Sequence, residues 1–356
     1  MARPRVLVVD DSVVVRRLVS KALEAEGSVE VAGVAADGHI ALASVERLRP
    51  DAVILDLQMP VMDGLTALDA IRDRWPPLPV IIFSTQTTQG AEITLDALAR
   101  GANDYVLKPT EVLGPTEAMS RIAEQLVPRI LAFCSPRARA TVARPPVQRT
   151  MPGRIDAVAI AVSTGGPTAL ARVIPALPAD LPVPILIVQH MPPMFTRILA
   201  ERLDRACDLR VVEAADGQVV QPGGVWVAPG DHHMTVQRTG ASVRIHTNLG
   251  PRENSCRPSA DPLFRSVAAA YGPNALGVVM TGMGSDGLRG AEELVAAGSH
   301  VIAQDEATSV VWGMPGFVVN AGVADAVVPL GGIADEIARR AQIGRARTHV
   351  VVEAVT

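Results

Sequence analysis

Short, almost purely apolar runs alternate with helical patterns in two separate stretches of this chain, and few architectures tolerate that alternation. In the first stretch the runs are Val6 to Val9, Val29 to Val34, Ala52 to Leu55, Val80 to Phe83 and Tyr105 to Leu107. Each is followed by residues that mix apolar and charged types. Strands without polar alternation are covered on both faces, as in a parallel sheet wrapped by helices. The pattern predicts a five-stranded, doubly wound parallel α/β domain over residues 1–133. It resumes after Ile155 with Ala157 to Val162, Ile185 to Val188, Leu276 to Met280 and His300 to Ala303. A second doubly wound parallel sheet is therefore expected over 154–343. Between Val211 and Thr247, the pairs Asp216-Gly217, Gly223-Gly224 and Thr239-Gly240 predict β-hairpin insertions.

Residues 134–153 break the rhythm. They carry Pro136, Pro145, Pro146 and Pro152 with Arg137, Arg139, Arg144 and Arg149, and no acidic residue. Without interleaved aromatics they read as a semi-stiff tether and not as a nucleic-acid contact. A chain of 356 residues has room for two cores, and its net charge of -4 offers no field to attract DNA or anionic lipid. Cys134, Cys207 and Cys256 are an odd set without short spacing, so neither a disulfide framework nor a zinc site is indicated. The first apolar run ends at Asp10-Asp11, too soon for a signal peptide, and no run approaches the ~20 apolar residues needed to span a bilayer. A cytoplasmic monomer is expected. Residues 344–356 show no cap or partner signal and read as a flexible tail.

Three carboxylates fall at strand ends in the first domain. Asp10 and Asp11 close the first strand and Asp56 closes the third. In an open parallel sheet such ends share the carboxyl edge, where ligands bind. Like charges that close repel, and a hard divalent cation such as Mg²⁺ would balance them. Ser84 and Thr85 end the fourth strand, and Lys108 follows the fifth. A hydroxyl and an ammonium at that edge would complete a site for a phosphoryl group on a carboxylate. Singly, each residue also fits a turn former, a helix cap or a surface charge.

The segments V-L-V-V-D-D-S, L-D-L-Q-M-P-x-M-D-G-L, F-S-T and G-A-N-D-Y-V-L-K-P resemble the receiver domain of two-component response regulators, over about residues 3 to 130. The resemblance implies Asp56 as phosphoryl acceptor. It implies Asp10, Asp11 and Asp56 around Mg²⁺, Thr85 as switch hydroxyl, Lys108 as charge clamp, and a histidine kinase as phosphodonor. Tyr105 matches an aromatic that turns inward on activation, and equally fits a half-buried strand residue. Gln58 stands where many relatives carry Glu.

In the second domain the strand ending at Val162 runs into Ser163-Thr164-Gly165-Gly166-Pro167, and a helical pattern follows. A serine on such a turn is exposed at the sheet edge, beside the free N–H groups of a new helix. A phosphate cradle is the alternative, though no dinucleotide or Gly-Lys-Ser/Thr spacing occurs. His190 leaves the next strand as Gln189-His190-Met191-Pro192, on the same rim. His232 and His233 could instead form a metal site with Cys256. Asp286, in Thr281-Gly282-Met283-Gly284-Ser285-Asp286-Gly287, could cap the following helix or orient the base.

The segments A-V-S-T-G-G-P, V-Q-H-M, R-P-S-A-D-P-L-F and M-T-G-M-G-S-D-G resemble the catalytic domain of the chemotaxis protein-glutamate methylesterases, over about residues 154 to 343. That resemblance implies Ser163 as nucleophile, His190 as general base and Asp286 as its orienter. Backbone groups near Thr164 and Met283 would form the oxyanion site, and Arg257 would lie on the substrate side. Ala161 is a departure, standing where a glycine is expected. The implied activity is hydrolysis of glutamate methyl esters on chemoreceptors, with glutamine deamidation as a second activity and no cofactor for the ester step. Two rivals are a transcriptional regulator, which would need a basic recognition helix, and a non-catalytic adaptor, which would not need three reactive residues at strand exits.

Overall fold

The computed structural model describes residues 3–109, 114–134 and 154–345. Apart from Cys134, which closes a helix, the expected linker lies outside these residues, as does the expected tail from 346 onward.

The first domain runs β1 (Arg5–Val9), α1 (Val13–Glu26), β2 (Glu30–Ala35), α2 (Gly38–Leu48), β3 (Ala52–Leu55), α3 (Gly64–Arg74), β4 (Val80–Ser84), α4 (Thr88–Ala99), β5 (Asp104–Leu107) and α5 (Pro115–Cys134). All five strands are parallel, in the order β2-β1-β3-β4-β5. The order reverses beside β1 and β3, where an open sheet leaves a crevice. Asp37, Asp63 and Thr87 accept from the backbone N–H groups of Ile40, Thr66 and Gly90, so local caps start α2, α3 and α4 at that edge. β3 and β4 are buried throughout, as their composition predicts. β2 is not: at the sheet edge it exposes Glu30 and Val34, because a strand with one neighbour cannot be covered like a central one.

The second domain runs β6 (Ala157–Val162), α6 (Gly166–Val173), β7 (Ile185–Gln189), α7 (Phe195–Ala206), β8 (Arg210–Glu213), β9 (Gly224–Val227), β10 (His233–Thr239), β11 (Ser242–Asn248), α8 (Ala260–Tyr271), β12 (Ala275–Val279), α9 (Leu288–Ala296), β13 (His300–Gln304), α10 (Met314–Asn320), β14 (Ala326–Val328) and α11 (Ile333–Ala341). Seven strands form one parallel sheet, β14-β13-β12-β6-β7-β9-β8.

The hairpin expectation holds for β10 and β11, which pair antiparallel around Gly240. It fails for β8 and β9. These strands are parallel to each other and extend the main sheet beyond β7, with Gly217 and Gly223 in the connection between them. Val225 and Val227 are fully buried there, and a place beside a covered strand hides more apolar surface than a free hairpin can. Arg345 also departs from expectation. Its guanidinium donates to Ile155 O at 2.7 Å, Asp156 Oδ1 at 2.9 Å and Pro182 O at 3.1 Å, so the last described turn is tied to the start of β6.

The domains meet where α4, β5 and α5 face α6, α7 and the strand exits. Arg202 Nη1 pairs with Asp96 Oδ1 at 2.7 Å and its Nη2 donates to Glu92 O at 2.7 Å. The Tyr105 and Phe195 rings stack across the boundary, with centroids 5.0 Å apart and planes at 4°. Among the described residues no helix is long and apolar enough to cross a membrane.

Candidate active site

At the carboxyl edge of the first sheet, Lys108 Nζ reaches Asp10 Oδ2 at 2.7 Å and Asp56 Oδ2 at 2.8 Å. Asp56 Oδ1 accepts from Leu57 N at 2.8 Å. Burial pushes the Asp56 carboxyl above its ordinary range, against the opposing pull of Lys108. Burial disfavours the Lys108 charge too, but its two carboxylate partners outweigh that and raise it. One oxygen from each of Asp10, Asp11 and Asp56 lies within 4.8 Å of the others. Hard donors at that spacing, one of them destabilised by burial, fit a divalent cation. Thr85 shares a small pocket with Asp56, and its hydroxyl is 3.3 Å from that of Thr87. Tyr105 is buried, 9% exposed, with its ring stacked on Phe195.

In the second domain β6 delivers Ser163 to a turn whose backbone is tightly held. Ser163 N donates to Thr281 O at 3.0 Å, and Gly166 N donates to Ser163 O at 2.8 Å. Gly165 adopts φ +76°, and a side chain there would also strike Val310 at 2.6 Å. Gly282 lets the β12 exit pass close by, because a methyl would lie 2.9 Å from Ser163 Cβ. Two glycines thus bring the hydroxyl to the shared rim of β6 and β12.

β7 ends one residue before His190, and its Nε2 lies 2.6 Å from Asp286 Oδ2. Asp286 is 2% exposed. Its carboxylate also accepts from Ser259 Oγ at 2.6 Å, Ala260 N at 2.7 Å and Asn254 Nδ2 at 2.8 Å. Burial by itself would raise the Asp286 carboxyl, but the His190 bond and these other donors pull it below the usual range, to about 2. Burial disfavours the imidazolium, yet the Asp286 bond and then Cys256 favour it, and His190 is raised. The capping alternative is displaced rather than borne out: Asp286 receives the first N–H groups of α8, while Gly287 opens α9. The positive end of α8 adds to the anion's stability.

Ser163, Thr164, His190, Cys256 and Arg257 line one cleft of about 530 Å³. Among the described residues, no hydrogen bond joins Ser163 Oγ to His190. Thr164 is buried and its hydroxyl donates to Asp104 Oδ2 of the first domain at 3.0 Å. Met283 is half-buried in the loop after β12 and does not line the cleft. Arg257 holds Asp231 Oδ1 through Nε at 3.1 Å and Nη2 at 2.9 Å. The metal alternative is not assembled: His233 Nε2 donates to Pro251 O at 2.9 Å, its Nδ1 accepts from Ser259 N at 3.3 Å, and Cys256 faces His190 instead. Ala161 is buried in β6, 3.3 Å from where a side chain on Gly287 would stand, so the missing glycine is offset from across the sheet.

Sequence reasoning missed the donors Asn254 and Ser259 around Asp286, and missed Asp104 altogether. Ser259 did carry a signal, since a serine before the Ala260 helix reads as an N-cap. Its hydroxyl goes to Asp286 instead.

Comparison with known proteins identifies the family. Residues 158–337 match the family model of the CheB methylesterase, and residues 6–115 match the response regulator receiver domain. A protein-glutamate methylesterase/protein-glutamine glutaminase of Trichodesmium erythraeum is 47% identical over 96% of this chain and 99% of its own length. A protein of the same name from Nocardioides sp. is 49% identical over 94% and 95%. The crystal structure of the Thermotoga maritima CheB methylesterase catalytic domain covers 52% of this chain and 98% of its own, at 42% identity and a TM-score of 0.51. The chain therefore belongs to the CheB methylesterase family, its catalytic domain preceded by a receiver domain.

Proposed function

We propose that this chain is a cytoplasmic hydrolase that removes methyl esters from glutamate side chains of chemoreceptors, under control of phosphorylation at Asp56. The observation that carries the reading is the His190–Asp286 pair at 2.6 Å, set in one cleft with Ser163. Because Asp286 engages Nε2, the nitrogen available to the serine is Nδ1. Ser163 Oγ attacks the ester carbonyl carbon as His190 Nδ1 takes its proton. Backbone N–H groups near Thr164 and Met283 would hold the oxyanion, the latter on the loop that Gly282 brings against Ser163, and Arg257 lies on the substrate side. The tetrahedral intermediate collapses, the imidazolium returns the proton to the departing methoxide, and methanol leaves. Water then attacks the acyl-serine with His190 again as base, and glutamate is released. The same sequence with an amide substrate releases ammonia, which is the glutaminase activity named for the relatives.

Asp10, Asp11 and Asp56 would hold Mg²⁺, which supplies charge neutralisation as a phosphoryl group reaches Asp56 from a histidine kinase. Lys108 clamps the modified carboxylate and Thr85 offers its hydroxyl. Regulation is supported by the shared wall of the cleft: Asp104, Tyr105, Gln125 and Arg129 of the receiver line it together with Ser163 and His190. A receptor helix cannot enter while they remain. Residues 1–133 act as this cover, 134–153 as the tether and 154–343 as the esterase.

Methanol release from methylated receptor measures the activity. Ser163→Ala is expected to lower it by about 10³-fold or more, and a rate near wild type would end the serine assignment. Removing residues 1–150 is expected to raise the basal rate, and a slower truncated protein would contradict the cover.

A further inference from the structure

Among the described residues, the His190 nitrogen that faces the cleft bonds to a cysteine. Cys256 Sγ lies 3.7 Å from Nδ1, while Asp286 takes Nε2 at 2.6 Å. Thiol, imidazole and carboxylate are thus in line, and Ser163 stands beside them without a bond to the ring. We propose that Cys256 is a positioning residue of the esterase: its thiol occupies the nitrogen that must accept the Ser163 proton, and has to yield it before attack. This rests on the serine mechanism above and adds a competitor to it.

Two observations support the assignment. The backbone around Cys256 is fixed independently of its side chain, by Glu253 N to Cys256 O at 3.2 Å and Cys256 N to Glu253 O at 2.8 Å. The sulfur's contact with the ring is therefore set by the turn, and replacing the side chain leaves the turn intact. The raised basicity of His190 is the second: after burial, which opposes it, and Asp286, Cys256 is the next contributor. While the sulfur holds Nδ1, that nitrogen is not free to take the Ser163 proton. The remaining charged or titratable groups on the cleft wall are Asp231 with Arg252 and Arg257, and Asp104, Arg129 and Tyr105 from the receiver. Asp231 is held by both arginines, and Asp104 is held by Arg129 at 2.8 Å. Among the described residues, Cys256 and Asp286 alone bond the imidazole.

The test is the pH dependence of kcat/KM for methanol release by the full chain with a phosphodonor, alongside alkylation by iodoacetamide. In alkylation the sulfur displaces iodide, a carbon–sulfur bond forms and the thiol proton passes to His190. Cys256→Ala is expected to move the acid limb to lower pH by about half to one unit, a ~3- to 10-fold gain in relative rate below the limb. Cys256→Ser, which restores a partner for Nδ1, is expected to fall between Cys256→Ala and wild type. His190→Ala is expected to slow alkylation of Cys256 by about tenfold, with Cys134 and Cys207 unaffected. An unchanged acid limb in both Cys256 variants, or alkylation of Cys256 indifferent to His190, overturns the proposal while leaving Ser163 as nucleophile. An active Ser163→Ala with inactive Cys256→Ala and Cys256→Ser would make the thiol the nucleophile and overturn both readings.

Discussion

In the first sheet Lys108 reaches both Asp10 and Asp56, at 2.7 and 2.8 Å, whereas in the second sheet His190 reaches Asp286 at 2.6 Å but makes no hydrogen bond to Ser163. Both sites sit at carboxyl edges of parallel sheets, so topology is not the difference. Charge is. An ammonium between two buried carboxylates is drawn into place by Coulomb attraction alone. A neutral hydroxyl has only one modest hydrogen bond to gain, and at His190 it competes with a thiol. The carboxylate pocket of the receiver is therefore already assembled, while in the second site the His190–Asp286 pair is formed and Ser163 is not joined to it. The receiver adds a second restraint, since Asp104 holds the Thr164 hydroxyl at 3.0 Å.

The most severe way to break the contrast is to unmake the one pair that is formed in the second site. Asp286→Asn is expected to lower kcat by about 10⁴-fold, as loss of a buried orienting carboxylate does in other serine hydrolases. The pH dependence carries a sign as well. His190 is raised in the folded enzyme, so activity should climb as pH rises through its pKa and the base form appears. Removing the Asp286 anion should shift that limb downward, and a limb moving upward in the residual activity would refute the pairing.

Next in size is the link between the two sites. A small phosphodonor should stimulate the wild type by about tenfold, and Asp56→Asn should abolish the stimulation without touching the basal rate. Persistent stimulation would place the acceptor elsewhere. Asp104→Ala is expected to raise the unphosphorylated rate about 2- to 10-fold, by the value of one hydrogen bond. A basal rate that does not move would show that the cover acts by bulk and not through Thr164. The smallest effect is thermal. Mg²⁺ at saturating concentration should raise Tm by roughly a few degrees, and chelation or Asp11→Ala should remove the gain.

Much of this was legible before any coordinates. Central strands such as β3 and β6 begin and end where their apolar runs do, because a strand buried on both faces leaves an unmixed signature. Ser163, His190 and Asp286 could be picked out for a related reason: each lies past the end of such a strand, in glycine-rich turns for Ser163 and Asp286 and before Met191-Pro192 for His190. Edge strands were harder. β2 is half exposed in spite of its apolar run, and β8 and β9 follow turn signals that suit hairpins equally well.

What the polypeptide determined locally was the set of strands, the turns that end them and the reactive groups those turns carry, since each depends on residues within one or two helical turns of one another. Tertiary structure alone decided which groups meet. Cys256 and His190 are 66 positions apart and Thr164 and Asp104 are 60 apart, and no periodicity or motif spans such intervals. Those contacts arise when two sheets and an interdomain face pack to remove apolar surface from water, and that packing places a thiol on His190 and a receiver carboxylate on the threonine beside Ser163.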